Sequence, residues 1–297
     1  MGIGKFAFDI YFELYKRGFF SKINSVLELG SQNIVSSDGK DIVEFLKTIG
    51  KDASLLQKAH SDLGGRSMKE VMTGVCVLPG KNIYEWMGIK DYESIDLDGG
   101  NNSHKFRLDY DLSKAYNFNN QFDFVTNHGT TEHILNQYMC FKNVHNLTKV
   151  GGYMFHGVPS VNFVNHGFFS YNQIFFKDLA LINSYDIIGM WIGIMYKDYT
   201  FKVYNVTDKI DKIKFDYVDK IFTQGMQKEN NFALFCLLRK IKSDDFKVPI
   251  QKIYAGKSIK TLIRKKLNIR IPKWLDESIN KNFDMSNLFL KTEKFLK

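Results

Sequence analysis

The segment NHGTTEHI, Asn127 to Ile134, places two histidines and one carboxylate within eight residues. This pattern has three possible interpretations. Thr130 or Thr131 could cap the first N–H groups of a helix. The carboxylate of Glu132 would then interact favourably with the positive end of the helix dipole. Alternatively, Glu132 orients a histidine that acts as a general base, or carboxylate and imidazole groups together bind a metal ion. The elements that position these residues decide between the three.

Short apolar runs of strand character alternate along the chain with longer helical stretches. Strands are predicted at 25–29, 92–98, weakly at 104–108, and at 122–126, 151–158, 185–196, 199–206 and 232–241. Helices are predicted at 42–50, 54–60, 82–88, 134–148 and 171–183. Because strands and helices alternate through short connections, we predict an α/β fold with a doubly wound, mostly parallel sheet covered on both faces.

In such a sheet a ligand binds beyond the carboxyl ends of the strands, and two strand ends carry suitable residues. ELGSQN follows the first strand, and its Gly30 permits a tight turn close to a ligand. SIDLDGG places Asp96 and Asp98 at a later strand end, where a carboxylate can accept both hydroxyls of a ribose. Gln32 stands where a GxGxxG pattern has its second glycine, which argues against NAD and FAD.

Taken in order, these motifs resemble those of class I S-adenosylmethionine-dependent methyltransferases. VLELGSQN resembles their first motif, YESIDLDG their ribose-binding second motif, FDFVTNHGTTEHI their fourth, and LTKVGGYMFHGVP the lead into their fifth strand. The longer runs NHGTTEHILNQ and NHGFFSYNQIFFKDLA resemble a bacterial subgroup of such enzymes. The resemblance implies a seven-stranded, Rossmann-like methyltransferase fold with helical additions, and S-adenosylmethionine as the cofactor.

The resemblance also implies a set of cofactor-binding positions. These are Glu28, Gly30, Ser31, Asp96, Asp98, Asp111, Leu112 and Asn127. The first two match the turn at the methionine end of the cofactor. Asp96 matches the ribose contact, with Asp98 as second choice. The Asp111–Leu112 pair matches the adenine loop, with Asp109 as the near alternative, and Asn127 with His128 is expected to face the reacting methyl group.

Methyl transfer from an activated sulfonium requires the protein to align an acceptor and to remove its proton. Histidine has the side chain pKa closest to that task. The candidate catalytic residues are His156, His166 and His128. We expect transfer to a hydroxyl or related group of a small molecule or glycan, such as a surface polysaccharide sugar. The alternatives are an RNA or protein methyltransferase that uses a basic tail, and a non-catalytic scaffold of the same fold.

A metal site is the remaining alternative, with Glu132, His133 and His156 as ligands and His166 as a further candidate. Some small-RNA and quinone methyltransferases carry ExxEH at this place. In this chain Gly129 stands where that pattern has its first glutamate. The favoured expectation is therefore that no metal is bound.

Charge is distributed unevenly along the 297 residues. Residues 1–238 contain 25 Lys and Arg against 26 Asp and Glu, whereas residues 239–297 contain 16 against 6. We therefore predict a methyltransferase domain over 1–240 and a basic C-terminal extension over 241–297, helical and packed on the domain. The extension could also contact a membrane surface, while nucleic acid is a disfavoured partner.

The remaining composition argues for a cytoplasmic protein. Its three cysteines are far apart in sequence and show no CxxC spacing, which suggests neither a disulfide framework nor a cysteine zinc site. No apolar run reaches the roughly 20 residues of a membrane-spanning helix, and the first 20 residues lack the pattern of a secretory signal.

Overall fold

The computed structural model describes residues 2–36, 40–55, 76–196, 201–207 and 230–251. The strands are β1 (Ser25–Leu29), β2 (Asn33–Ser36), β3 (Cys76–Pro79), β4 (Asp91–Ile95), β5 (Phe122–His128), β6 (Thr148–Val161), β7 (Tyr185–Met195), β8 (Phe201–Asn205) and β9 (Asn231–Lys240). The helices are α1 (Lys5–Lys16), α2 (Lys40–Thr48), α3 (Lys81–Trp86), α4 (Leu112–Tyr116), α5 (Gln137–Leu147) and α6 (Gln173–Ile182).

Seven strands form one mixed sheet in the order β4-β1-β5-β6-β9-β7-β8. Neighbours from β4 to β6 are parallel, whereas β9 is antiparallel to both β6 and β7. β8 in turn is antiparallel to β7. Strands β4, β1, β5, β6 and β7 therefore point the same way. The predicted doubly wound, mostly parallel seven-stranded sheet is confirmed, and it is consistent with a Rossmann-like methyltransferase fold.

The structure differs from the predicted elements at two places near the strand ends. The weak strand predicted at 104–108 is absent, and His104 makes a single parallel bridge with Ile95. Residues 105–108, which follow this bridge, form no strand. In addition, β2 and β3 pair as a separate two-stranded antiparallel ribbon that the sequence did not predict. Most of the helix predicted at 54–60 lies outside the described residues.

Alternation along the strands separates the core into two clusters, one on each face of the sheet. On β1, Leu27 and Leu29 join the cluster that contains α5, and Val26 joins the cluster that contains α1. Since successive side chains of a strand point to opposite faces, Glu28 shares the α1 face with Val26. Burying one such leucine or valine fully stabilises the fold by about 1.5–3 kcal/mol.

The described part of the predicted C-terminal extension, residues 241–251, has neither helix nor strand. Asn183 holds it against α6, because its Oδ1 accepts from Lys247 N at 2.7 Å and its Nδ2 donates to Lys247 O at 3.0 Å. Residues 252–297 lie outside the described part, so the helical extension and the 1–240 boundary stay predictions. No helix in the described residues has the length and apolar character needed to span a membrane.

Candidate functional site

A cleft of about 350 Å³ opens at the carboxyl ends of β1 and β4, where a doubly wound sheet binds its ligands. Four segments line it: residues 30–32, 95–97, 106–109 and a segment after β5 that includes Gly129, Thr130, His133 and Ile134. Its volume lies within the range of roughly 300–1,000 Å³ that is usual for small-molecule sites.

Gly30 turns the chain sharply at the floor of the cleft, with φ at +79°. A Cβ at this position would lie 2.4 Å from Thr130 Oγ1 and 2.5 Å from Gln32 Nε2. Gln32 Nε2 donates to Leu29 O and to Thr130 Oγ1, each at 3.0 Å. The glutamine that replaces the second glycine thus packs beside Gly30 and ties its turn to the segment after β5. The replacement of a glycine by Gln32 can be read from the sequence, whereas its contact with Thr130, 98 residues further along the chain, cannot.

Asp96 lies in the cleft directly after β4. Its Oδ2 accepts a hydrogen bond from Ser31 N at 2.7 Å, which joins the ends of β4 and β1. Gly30, Ser31 and Asp96 are therefore brought together in one cleft. Asp98 is not a lining residue, and its Oδ1 accepts from Gly100 N at 2.7 Å.

The loop 106–109 forms the side of the cleft that the resemblance assigns to adenine. Arg107 donates to both carboxylate oxygens of Asp109, from Nε at 3.0 Å and from Nη2 at 2.7 Å. This hydrogen-bonded guanidinium lowers the pKa of Asp109. Asp109, the near alternative, lines the cleft together with Arg107 and Phe106, two residues that sequence analysis did not select.

Asp111 and Leu112 lie just beyond this loop and do not line the cleft. Asp111 caps α4 by accepting from Lys114 N at 3.3 Å, and its Oδ2 pairs with Lys142 at 2.9 Å. Leu112 is buried in the core. Asn143 on α5 holds the loop in place, since its Nδ2 donates to the carbonyls of Leu108 and Tyr110 at 3.0 and 2.7 Å.

Glu28 is fully buried and lies on the α1 face of the sheet, opposite to Leu27 and Leu29 of the same strand. Tyr84 and Tyr92 donate to its Oε1 and Oε2 at 3.1 and 2.7 Å, and Gln32 N donates to Oε2 at 3.3 Å. Burial outweighs these donors and raises the pKa of Glu28 to about 7. The carboxyl therefore lies beneath the Gly30 turn, and Glu28 is not among the residues that line the cleft.

His128 belongs to the same buried network. Its Nε2 lies 2.8 Å from Tyr11 Oη, and Tyr11 Oη lies 3.1 Å from Tyr84 Oη. Tyr84 donates its one hydroxyl proton to Glu28, so it must accept the proton of Tyr11. Tyr11 in turn accepts a hydrogen bond from His128 Nε2. Burial lowers the pKa of His128 to about 3, so the ring is neutral near neutral pH.

Asn127 and His156 face the other side of the sheet, paired across β5 and β6. Asn127 Oδ1 accepts from the backbone N of Thr130 and Thr131, both at 3.2 Å. His156 is buried beside Phe141 and Phe176, its Nε2 has no hydrogen-bond partner, and burial lowers its pKa to about 3. Asn127 thus holds the segment after β5 in place through its side-chain oxygen.

The helix start predicted at Thr130 or Thr131 is wrong. Residues Thr131–His133 form one 3-10 turn, and Thr130 makes no side-chain cap bond. Helix α5 begins at Gln137 because Asn136 Oδ1 accepts from Met139 N at 3.2 Å. Glu132 therefore does not sit in the first turn of α5.

Glu132 instead meets two histidines. His166 Nε2 lies 3.3 Å from Glu132 Oε1, and His133 Nε2 lies 3.9 Å from the same atom. The loop after β6 reaches this point because the backbone N of Phe168 and of Phe169 donate to Glu132 O at 2.8 and 3.2 Å. Burial raises the pKa of Glu132 and lowers those of His133 and His166. His156, predicted as a metal ligand, is not part of this group.

Solved structures with low similarity to the chain were found. No family model and no curated protein matches the chain. Among solved structures, the O-methyltransferase of a trans-AT PKS multienzyme from Brevibacillus brevis, in complex with S-adenosyl-L-homocysteine, is 13% identical, with a TM-score of 0.35 over 78% of this chain and 71% of that one. The O-methyltransferase region 961–1257 of StiE is 12% identical, with a TM-score of 0.37 over 80% and 75%. A SAM-dependent methyltransferase from Archaeoglobus fulgidus is 11% identical, with a TM-score of 0.35 over 77% and 94%.

The fold class rests on the strand order and the strand directions of the sheet. These define a doubly wound α/β protein in which the antiparallel strand β9 is inserted between β6 and β7 and a second antiparallel strand, β8, lies at the edge.

Proposed function

We propose that this chain is an S-adenosylmethionine-dependent methyltransferase that acts on a hydroxyl or related group of a small molecule or glycan. The observation that carries the proposal is the cleft at the carboxyl ends of β1 and β4. There the Gly30 turn, the carboxylate of Asp96 and the loop with Asp109 lie in the order in which a nucleoside with a methionine side chain would need them.

Each side of the cleft suits one part of that cofactor. Asp96 offers a carboxylate, the group that accepts two ribose hydroxyls together. Phe106 and Leu108 offer apolar surface for a base, and the close approach at Gly30 leaves backbone groups for the methionine end. The sulfonium would then point toward the segment after β5.

The acceptor is proposed to approach over the loop that follows β6. Phe168 and Val164 are exposed there, 72% and 81% respectively, beside the partly exposed His166. Aromatic and apolar surface next to polar groups suits a sugar ring or a similar small molecule. Of the three predicted catalytic histidines, His128 and His156 are buried, and His166 is the one that solvent reaches.

Asp96→Ala is expected to weaken binding of S-adenosylmethionine at least tenfold, because loss of a charged hydrogen-bond acceptor costs about 1.5–3 kcal/mol. Isothermal titration calorimetry measures this directly. The matched control is Asp91→Ala, which removes an exposed carboxylate at the opposite end of the same strand and should leave the affinity unchanged.

Two outcomes would contradict the proposal. If the unmodified chain does not bind the cofactor or its demethylated product at millimolar concentration, the fold serves as a non-catalytic scaffold. If Asp96→Ala binds as tightly as Asp91→Ala, the cleft is not the cofactor site. An assay of methyl transfer from labelled cofactor to a panel of sugars, small hydroxyl compounds and RNA then identifies the acceptor class.

A further inference from the structure

We propose that Glu132, His133 and His166 form a binding site for one divalent first-row transition-metal ion at the acceptor side of the cleft. One potential ligand atom from each residue lies within 4.8 Å of the other two. The ligands come from two separate loops, so the tertiary fold brings them together.

The distances are close to what such an ion requires. Ligand atoms about 2.1 Å from a tetrahedral ion are roughly 3.4 Å apart. His166 Nε2 is 3.3 Å and His133 Nε2 is 3.9 Å from Glu132 Oε1. Small rotations of the two histidine rings, which are 26% and 46% exposed, would bring all three atoms to one centre.

The carboxylate of Glu132 provides independent support. Its side chain is fully buried, and its Oε2 has no hydrogen-bond partner. No lysine or arginine among the described residues forms an ion pair with it. A buried, partly unsatisfied carboxylate is strongly disfavoured unless a cation or a donor compensates it. A divalent ion between Glu132 and the histidines would supply that compensation.

Two imidazoles and one carboxylate favour ions such as Zn²⁺, Co²⁺, Mn²⁺ or Fe²⁺ over Mg²⁺ and Ca²⁺, which prefer oxygen ligands. Three protein ligands leave a coordination position open, as in sites that bind a water or a substrate atom. His133 lines the cleft, so this position would face the proposed acceptor. Coordination of an acceptor hydroxyl there would lower its pKa, and the proton would pass to solvent water without a histidine acting as base.

This role at the acceptor rests on the proposed function, but the binding site itself does not. The test therefore measures metal binding without any assay of activity. Full-length protein purified without a histidine tag is treated with a chelator, dialysed and titrated with Co²⁺ and Zn²⁺. Visible absorption and elemental analysis then report one bound ion per chain.

The variants Glu132→Gln, His133→Gln and His166→Gln are each expected to weaken Co²⁺ binding at least tenfold and to change its absorption spectrum. The matched control is His104→Gln, since His104 also pairs with a glutamate, Glu93, at 2.6 Å, but the described residues offer this pair no third ligand. It should bind Co²⁺ like the unmodified chain. Circular dichroism of each variant reports whether the fold is retained, and the two partly exposed histidines give variants that need not disturb the core.

The inference is overturned if the unmodified chain binds no stoichiometric ion, or if the three variants bind Co²⁺ as the control does. Calorimetry with S-adenosylmethionine on the same metal-free protein separates the two proposals. Cofactor binding without metal binding leaves a methyltransferase that lacks this site, and metal binding without cofactor binding leaves the site and removes the proposed function.

Discussion

Replacing Glu28 with glutamine is expected to abolish the pH-dependent contribution of this carboxyl to stability, which falls by about 3 kcal/mol as pH rises from 4.5 to 7. Burial raises the pKa of this carboxyl from 4.5 to about 7 in the folded state. Between these values the folded protein keeps a proton that the unfolded chain has released. Stability conferred by Glu28 is therefore fully present below pH 4.5 and is lost as pH rises through about 7.

Two buried histidines change stability with pH in the opposite direction to Glu28. The experiment must therefore compare two proteins that both contain these histidines. The pKa values of His128 and His156 fall from 6.5 to about 3, so their contribution is present above pH 6.5 and decreases as pH falls toward 3. Both residues are kept in Glu28→Gln. The difference in unfolding free energy between the two proteins, measured by urea denaturation across this pH range, thus isolates Glu28.

The control for this comparison is Glu85→Gln, which changes a surface carboxylate paired with Lys81. This variant reports the effect of removing a carboxylate from the surface. A difference between Glu28→Gln and the unmodified chain that stays constant with pH would show that the buried carboxyl takes up no proton in this range. In that case its hydrogen bonds with Tyr84 and Tyr92 compensate the cost of burial.

Gly30→Ala is expected to destabilise the fold by about 2–4 kcal/mol and to abolish cofactor binding. Two effects combine at this position. The backbone has φ at +79°, which an L-residue with a Cβ adopts only at a cost, and the added carbon would lie 2.4 Å from Thr130 Oγ1. Thr130 and Gln32 must then move away from the turn, which opens the floor of the cleft.

Gly18→Ala separates these two effects. Gly18 has φ at +73°, but nothing lies within 4 Å of the position of an added Cβ. It should therefore show the backbone cost without the collision, at about 1–2 kcal/mol, and should bind S-adenosylmethionine normally. Equal destabilisation of the two variants, measured by urea denaturation, would contradict the packing of Thr130 against Gly30.

Much of this protein follows from local patterns in its sequence. The order of apolar runs and helical stretches predicted the doubly wound, mostly parallel sheet, because strand and helix periods are local properties of the chain. The turn at Gly30 and the acidic residue at the end of β4 were found because a parallel sheet places its ligands at the carboxyl ends of its strands.

The direction in which each side chain points could also be read from the sequence by alternation, once the strands were correct. Glu28 and His128 lie on one face of the sheet, whereas Asn127 and His156 lie on the other. His128 follows one predicted strand and His156 lies near the end of the next, yet the sheet separates them. Proximity in sequence to a strand end therefore did not show which residues meet.

Only the tertiary structure decided which residues from distant segments come together. His166 reaches Glu132 because the backbone of the loop after β6 donates to the Glu132 carbonyl, 36 and 37 residues earlier than Phe168 and Phe169. Burial is likewise a property of the assembled layers, and it sets the pKa values of Glu28, His128 and His156. The sequence by itself determined the sheet and the turn, since these depend on local periodicity. Contacts between loops and the desolvation of charged groups depend on how the whole chain packs, so the structure alone determined them.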